Sequence, residues 1–223
     1  MLSIEKQHVY ETYQNISSRF DRTRGYVWPC VTNFLDELPP GSKLLEIGCG
    51  NGKNLLYRSD LNSTGVDFVP NFVEMCKERG LHVIQANALE LPFEDNTFDA
   101  VISIAVFHHL STEERRIQAL NEMNRVLKPG GNGFVMCWAY EQEYDGVKST
   151  SRRVVVKGEQ LVPWIDYKQR NRLGKSAASG DLMGERFYYF YDKTEFETYT
   201  KAISVTTKNI FWEEGNWIFS YTK

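Results

Sequence analysis

Leu44 to Asn54, "LLEIGCGNGKN", decides how the rest of the chain is read. An apolar run ends in Glu46 and Ile47, then Gly48, Gly50 and Gly52 follow two apart, where a strand would turn into the next element. In a doubly wound α/β sheet, ligands bind at the carboxyl ends of strands, near the point where strand order reverses. Glycines there let a ligand approach the backbone closely. The dinucleotide fingerprint G-x-G-x-x-G needs a third glycine at position 53, and Lys53 stands there instead. Asp67 follows 19 residues after Gly48, at the end of a second strand pattern, and is placed to accept hydrogen bonds from a ribose diol.

Working outward, strands and helices alternate. "KLLEIG" reads as a buried strand, "NLLYRS" as a short helix and "STGVDF" as a strand. "PNFVEMCKERG" is a helix with proline at its start and glycine at its end, and "LHVIQA" is a strand. "FDAVISIAV" follows as a long central strand, "STEERRIQALNEMNRVLKPGG" as a helix and "GFVMCWA" as a strand. Ser111 and Glu114 match an S-x-x-E capping box for that helix. Such alternation predicts parallel strands joined by right-handed crossovers. Upstream, Val9, Tyr13, Ile16 and Phe20 make one helical face, and a second helix from Trp28-Pro29 carries Val31, Phe34, Leu35 and Leu38 to the stop at Pro39-Pro40-Gly41. Near the end, "DKTEFETYTKA" reads as a helix, and "ISVTTKNIFW" and "NWIFSYTK" as an antiparallel pair.

Composition agrees with one α/β domain. The chain has 223 residues, 42% of them hydrophobic, enough for one sizeable core. It shows no signal-peptide pattern at its start and no apolar run of membrane-spanning length. Cys30, Cys49, Cys76 and Cys137 form no C-x-x-C pair and read as thiols of a reducing compartment, with no metal site. Net charge is −3, but Gly146 to Lys175 carries +6 on a body of −9. That segment is either a phosphate-contacting surface or a solvated loop.

The E-x-G-x-G-x-G loop, Asp67 and "NALELPFEDNTFDAVIS" together resemble the class I S-adenosylmethionine-dependent methyltransferases over roughly residues 42–139. The resemblance implies a Rossmann-like, mostly parallel seven-stranded sheet with one antiparallel closing strand. It makes Glu46, Gly48, Gly50, Gly52, Asp67, Phe68, Asn87, Ala88 and Ile104 the cofactor-binding set. Asn87 stands where that family usually has Asp accepting from the adenine amino group; its carbonyl still accepts, without charge assistance.

Four further stretches narrow the resemblance: "HVYETYQNISSRFDRTRGYVWPCVTNFL", "SIAVFHHLSTEERR", "MCWAYEQE" and "LVPWI". Nearly the whole chain is similar to the eukaryotic tRNA methyltransferases that esterify wobble 5-carboxymethyluridine to 5-methoxycarbonylmethyluridine. The resemblance implies an anticodon-loop substrate and a cytoplasmic enzyme, with the nucleus as a second location. It also implies a heterodimer with a small zinc-binding activator protein, for which the edge strand Leu81–Ala86 is the candidate dock. The expected organisation is a single domain: N-terminal helices over 1–41, a cofactor core over 42–139, a basic substrate-side insertion over 140–186, and a closing helix and strands over 187–223.

Arg24 matches a motif arginine of that family. It either holds the acceptor carboxylate or orients the cofactor; the plain alternative is a surface ion pair. Trp164 either stacks on a nucleobase or packs inside the insertion. Arg152 and Arg153 are candidate RNA contacts. Tyr10 and Tyr13 could cover the cofactor, although Tyr13 also lies on the apolar stripe. A carboxylate acceptor is ionised at neutral pH and needs no general base. His109 is therefore expected to be an orienting donor to the substrate, with His108 beside it either a second substrate-binding candidate or packed and structural. Arg24, His109 and Trp164 form the expected catalytic group. The competing readings are a small-molecule O- or N-methyltransferase with a histidine base, and a silent fold acting as a binding module.

Overall fold

The computed structural model describes residues 1–150, 154–166 and 180–223. The N-terminal stretch winds as α1 (Ser3–Glu5), a π-helical segment (Lys6–Glu11) and α2 (Thr12–Arg22), followed by α3 (Pro29–Asp36). The core then runs β1 (Lys43–Ile47), β2 (Asn62–Asp67), α4 (Pro70–Glu78), β3 (Val83–Gln85), β4 (Phe98–Ile104), α5 (Glu113–Val126) and β5 (Leu127–Trp138). Two short strands, β6 (Glu143–Tyr144) and β7 (Val147–Lys148), precede a long pair, β8 (Gly158–Asp166) and β9 (Asp181–Phe190). The chain closes through α6 (Lys193–Tyr199), β10 (Thr207–Glu213) and β11 (Asn216–Thr222).

Seven strands form one sheet in the order β10-β11-β5-β4-β1-β2-β3. β1, β2, β3, β4 and β5 pair in parallel, and β11 enters antiparallel between β5 and β10. This is the sheet the sequence led us to expect, and β3 is an edge. The β10–β11 hairpin turns through Glu214 and Gly215, both at positive φ. A two-residue turn of that hand matches the twist of the flanking strands.

Helices cover both faces, which is why the central strands are apolar at successive positions rather than at alternate ones. Leu45, Val101, Val135 and Trp217 pack on the face of α5 and α6, whereas Leu44, Ala100, Phe134 and Ile218 pack on the face of α3. Each fully buried leucine contributes roughly 1.5–3 kcal/mol by leaving water. α3 begins with proline at N1, where no hydrogen bond is lost.

Three local expectations change. Residues 54–59 form turns rather than a helix. The N-cap of α5 is Thr112, whose hydroxyl accepts from Arg115 N. Ser111, expected as the cap, instead donates through both N and Oγ to buried Glu5 Oε1, at 2.8 and 2.9 Å, so Glu114 closes no box with it. Glu5 also takes a two-pronged bond from Arg115, which ties the N-terminal helix to α5. Capping-box chemistry is present elsewhere, at Asp192 and Glu195 of α6. Last, the 140–186 insertion contains the β8–β9 pair, and the boundary placed at 186 falls inside β9. An isolated bridge from Ala139 to Tyr191 joins this ribbon to the end of β5.

Candidate active site

A cavity of about 570 Å³ opens at the carboxyl ends of β1, β2 and β4. The first wall is the glycine loop. Gly48 has φ +71°, and a Cβ there would run into the Val106 side chain. Gly48 N and Cys49 N both donate to Val66 O, which folds the loop over β2. Gly52 does not line the cavity. Its positive φ and its contact with Leu81 and Cys76 make it a packing glycine that anchors the loop.

Asp67 ends β2 with Oδ2 accepting from Gly50 N (2.8 Å) and Oδ1 from Val69 N (2.9 Å). Each oxygen keeps a second lone pair for a hydroxyl. Burial pushes the Asp67 carboxyl up to about 6, against the pull of those backbone bonds. Glu46 is also buried; desolvation lifts it to about 8 although Asn54 donates to Oε1 at 2.6 Å. Phe68, Ala88 and Tyr10 make an apolar slot beside Asp67, with Tyr10 edge-on to Phe68 at 5.4 Å. Asn87 lines it too, its Oδ1 already accepting from Leu89 N at 3.1 Å with one lone pair left. A diol acceptor, an apolar slot and a buried Glu46 carboxyl that ionises only beside a cation fit a cationic nucleoside such as S-adenosylmethionine. Ile104 completes the floor.

The opposite wall is assembled from distant segments. His109, in the one-turn 3-10 segment after β4, is buried with both ring nitrogens engaged. A carbonyl oxygen can only accept, so Nδ1–H donates to Phe187 O (2.6 Å), and Nε2 accepts from the Tyr13 hydroxyl (2.9 Å). Desolvation holds the His109 pKa down at about 3, so the ring is neutral at physiological pH. The expectation that His109 donates to the substrate therefore fails on geometry: its one N–H is spent on the backbone. Tyr13, read as a core residue, lines the cavity and is held by His109.

His108 is buried outside the cavity lining, with Nδ1 accepting from Trp138 N at 3.0 Å and its ring against Tyr188. It is packed, not substrate-facing. Trp164 is likewise buried, among Tyr13, Ile16, Val69 and Phe72, and does not line the cavity. Of its two readings, the interior one holds. Arg152 and Arg153 lie outside the described residues, as does most of the charge of the basic segment.

Arg24 does line the cavity. Its loop is strapped to the glycine loop: Asn51 Nδ2 donates to Arg24 O (3.2 Å) and to Asp21 Oδ1 (3.0 Å), and Lys53 Nζ donates to Tyr26 O (2.5 Å). Among the described residues the Arg24 guanidinium bonds only to Thr23, at 3.3 Å, and it sits 5.6 Å from the Trp164 ring. Burial lowers its pKa, and the charge of Arg186 adds to that effect.

Arg186 and Tyr188 are the residues that sequence reasoning missed. They sit two apart on β9, so both face the cavity. Tyr188 stacks on Trp138 at 4.2 Å. Only the pairing of β9 with β8 reveals them, because the sequence around 181–190 carries no motif.

Residues 45–135 match a family described as a methyltransferase domain. A tRNA (carboxymethyluridine(34)-5-O)-methyltransferase of Xenopus tropicalis is 33% identical over 257 residues, covering 96% of this chain and 40% of the relative. The chain spans less than two thirds of the length of the curated relatives it matches. Among solved structures, an S-adenosylmethionine-bound amino pentose methyltransferase of Micromonospora echinaspora shares the fold, with a TM-score of 0.66 at 18% identity over 93% of this chain and 96% of that one. So does a complex of the Haloferax volcanii Trm112 methyltransferase activator with a methyltransferase, at 0.63 and 16% identity over 96% of each chain. Among the described residues, no helix is long and apolar enough to cross a membrane.

Proposed function

We infer that the protein transfers the methyl group of S-adenosylmethionine to the carboxylate of 5-carboxymethyluridine at the wobble position of tRNA, giving the methyl ester. The observation that carries this reading is the state of His109. A hydroxyl or amine acceptor must lose a proton to a base, and the histidine at the acceptor wall is neutral, doubly hydrogen-bonded and pushed down to about 3. A carboxylate needs no base. Two guanidiniums without an acidic partner among the described residues, Arg24 and Arg186, supply the positive surroundings an anion requires.

When bound, the cofactor would supply a sulfonium methyl whose carbon a carboxylate oxygen can attack, forming the C–O bond while the thioether sulfur leaves with the electron pair of the C–S bond. The protein's share is alignment. Asp67 holds the ribose end, the slot of Phe68, Asn87 and Ala88 holds the purine, and the Tyr13–His109 pair fixes the acceptor wall. Positioning of this kind can lower a barrier by up to roughly 7–11 kcal/mol. The name of the Xenopus relative, which covers nearly the whole chain, supports the tRNA substrate.

The partner reading follows the fold shared with the Haloferax methyltransferase in its activator complex. A small zinc-binding activator adds a strand at the free edge of β3, where the short stretch Val83–Gln85 leaves backbone groups for pairing. Four free buried thiols agree with a cytoplasmic setting. The test is transfer from labelled cofactor to RNA bearing carboxymethyluridine, with and without activator. Label incorporation that requires the carboxymethyl group supports the reading; equal incorporation into plain uridine RNA sinks it.

A further inference from the structure

The acceptor wall holds a hydrogen-bond chain whose direction is set at both ends. His109 Nδ1–H is committed to Phe187 O, so Nε2 must accept, and the Tyr13 hydroxyl must donate to it. The Tyr13 oxygen is then the acceptor for the Tyr188 hydroxyl, 3.4 Å away. The Tyr188 oxygen in turn accepts from Arg186 Nη1 at 2.6 Å. Every hydroxyl proton in this chain is spent inside the wall. One donor is left over: Arg186 Nε is buried and has no hydrogen-bond partner among the described residues, in a side chain that is only 5% exposed yet lines the cavity. A guanidinium so deeply buried needs an anion or a full set of acceptors. Here, among the described residues, it has the Tyr188 oxygen, the neighbouring Tyr13 hydroxyl and the faces of Trp164 and Tyr188, at 4.9 and 5.1 Å, but no carboxylate.

The two arginines also differ in what holds them. Arg24 is strapped through Asn51, Lys53 and Asp21 to the glycine loop, whereas Arg186 belongs to β9 and the His109 chain. Two carboxylates enter this cavity under the proposed reaction, one on the amino-acid end of the cofactor and one on the acceptor. We propose that Arg186 is the acceptor-carboxylate residue, through its unpaired Nε–H, and that Arg24 serves the cofactor's carboxylate. This rests on the reading of a carboxylate acceptor given above. The Arg186→Tyr188→Tyr13→His109 chain then acts as a brace that fixes the fork, and a planar fork selects a carboxylate over a neutral group of the same shape.

The test compares equilibrium binding of two RNA stem-loops, one bearing 5-carboxymethyluridine and one bearing its amide, 5-carbamoylmethyluridine. The wild-type protein should bind the carboxylate about tenfold more tightly, as expected for losing one charge-assisted contact. In Arg186→Gln the two should bind equally, with cofactor affinity changed less than about twofold, and Arg186→Lys should restore part of the preference. Arg24→Gln should keep the preference and weaken cofactor binding about tenfold. A merely structural Arg186 would weaken both RNAs alike and leave their ratio intact. A ratio that persists in Arg186→Gln, or that disappears in Arg24→Gln instead, overturns the assignment. Because the readout is binding, it stands apart from turnover. A wild-type protein that prefers the carboxylate yet transfers no methyl contradicts the proposed function alone. A wild-type protein with no preference contradicts the Arg186 assignment.

Discussion

The two ends of the cavity differ in charge and in origin. The cofactor end holds two buried carboxylates, Glu46 and Asp67, raised to about 8 and about 6 by desolvation. The acceptor end holds Arg186 beside the neutral His109 chain, while Arg24 sits on the loop strapped to the glycine loop. At neutral pH Asp67 is the ionised carboxylate of the first end, and Glu46 is mostly protonated until a cation draws its proton off. The second end carries the Arg186 guanidinium. This is the polarity that the proposed transfer from a sulfonium to a carboxylate requires. Their construction differs as well. The cofactor end comes mostly from residues 46–68 and the nearby 87–88, with Tyr10, Arg24 and Ile104 added, whereas the acceptor end draws on residues 13, 109, 186 and 188.

The largest effect should come from the contiguous end. Gly48→Val places a branched side chain at φ +71° against Val106. A left-handed β-branched residue costs roughly 1–3 kcal/mol, and overpacking adds about as much. Thermal denaturation should show a fall of several degrees, and cofactor binding should disappear. A stable variant with normal binding would mean that the loop has another job. Next, Asp67→Ala removes the acceptor of Gly50 N and Val69 N and of the expected diol. Cofactor dissociation should rise about 10- to 100-fold by calorimetry, the loss expected for bonds to a charged group of about 1.5–3 kcal/mol. Unchanged dissociation would place the ribose elsewhere.

This asymmetry also explains what could be read in advance. The cofactor end was legible because its residues are neighbours in sequence, and glycine spacing plus an acid at a fixed interval is a local requirement of the backbone. The seven-stranded sheet was legible because period and turn residues report on each element separately. The acceptor wall was not. Arg186 looks like any arginine in a polar stretch until the β8–β9 pairing turns it inward, and Tyr13 looked like core because it is both core and wall. The roles of Trp164 and Ser111 changed for the same reason. Each is decided by a long-range partner: Trp164 by α2 and α4, Ser111 by Glu5 more than a hundred positions away.

The ends should also titrate differently. The Asp67 pKa is raised above its unfolded value, so the folded protein holds this proton between about 4 and 6 where the unfolded chain does not. Its contribution to stability is thus present at low pH and lost as pH rises through 6, while the ionised form is the better diol acceptor. Cofactor affinity should therefore weaken as pH falls through 6. His109 stays neutral down to about 3, so kcat at saturating cofactor should be flat from about pH 6.5 to 7.5. A sigmoid in kcat near pH 6.5 would reveal a working histidine base and break the comparison.

Smaller effects probe the seams. Tyr13→Phe removes the hydroxyl that His109 Nε2 accepts, and should cost about 1 kcal/mol of stability with a rise in acceptor KM rather than in cofactor dissociation. Thr112→Ala removes the cap of α5 and should cost about 1 kcal/mol in denaturant titrations while leaving both ends of the cavity unchanged.

The central claim is a base-free transfer to a carboxylate on RNA, and the chemistry of the product tests it most directly. Label transferred from S-adenosylmethionine to RNA bearing carboxymethyluridine should be released as methanol by mild alkali, because a methyl ester hydrolyses. Label that stays on the RNA through alkali would mean a methylated nitrogen or a methyl ether, and would contradict the account.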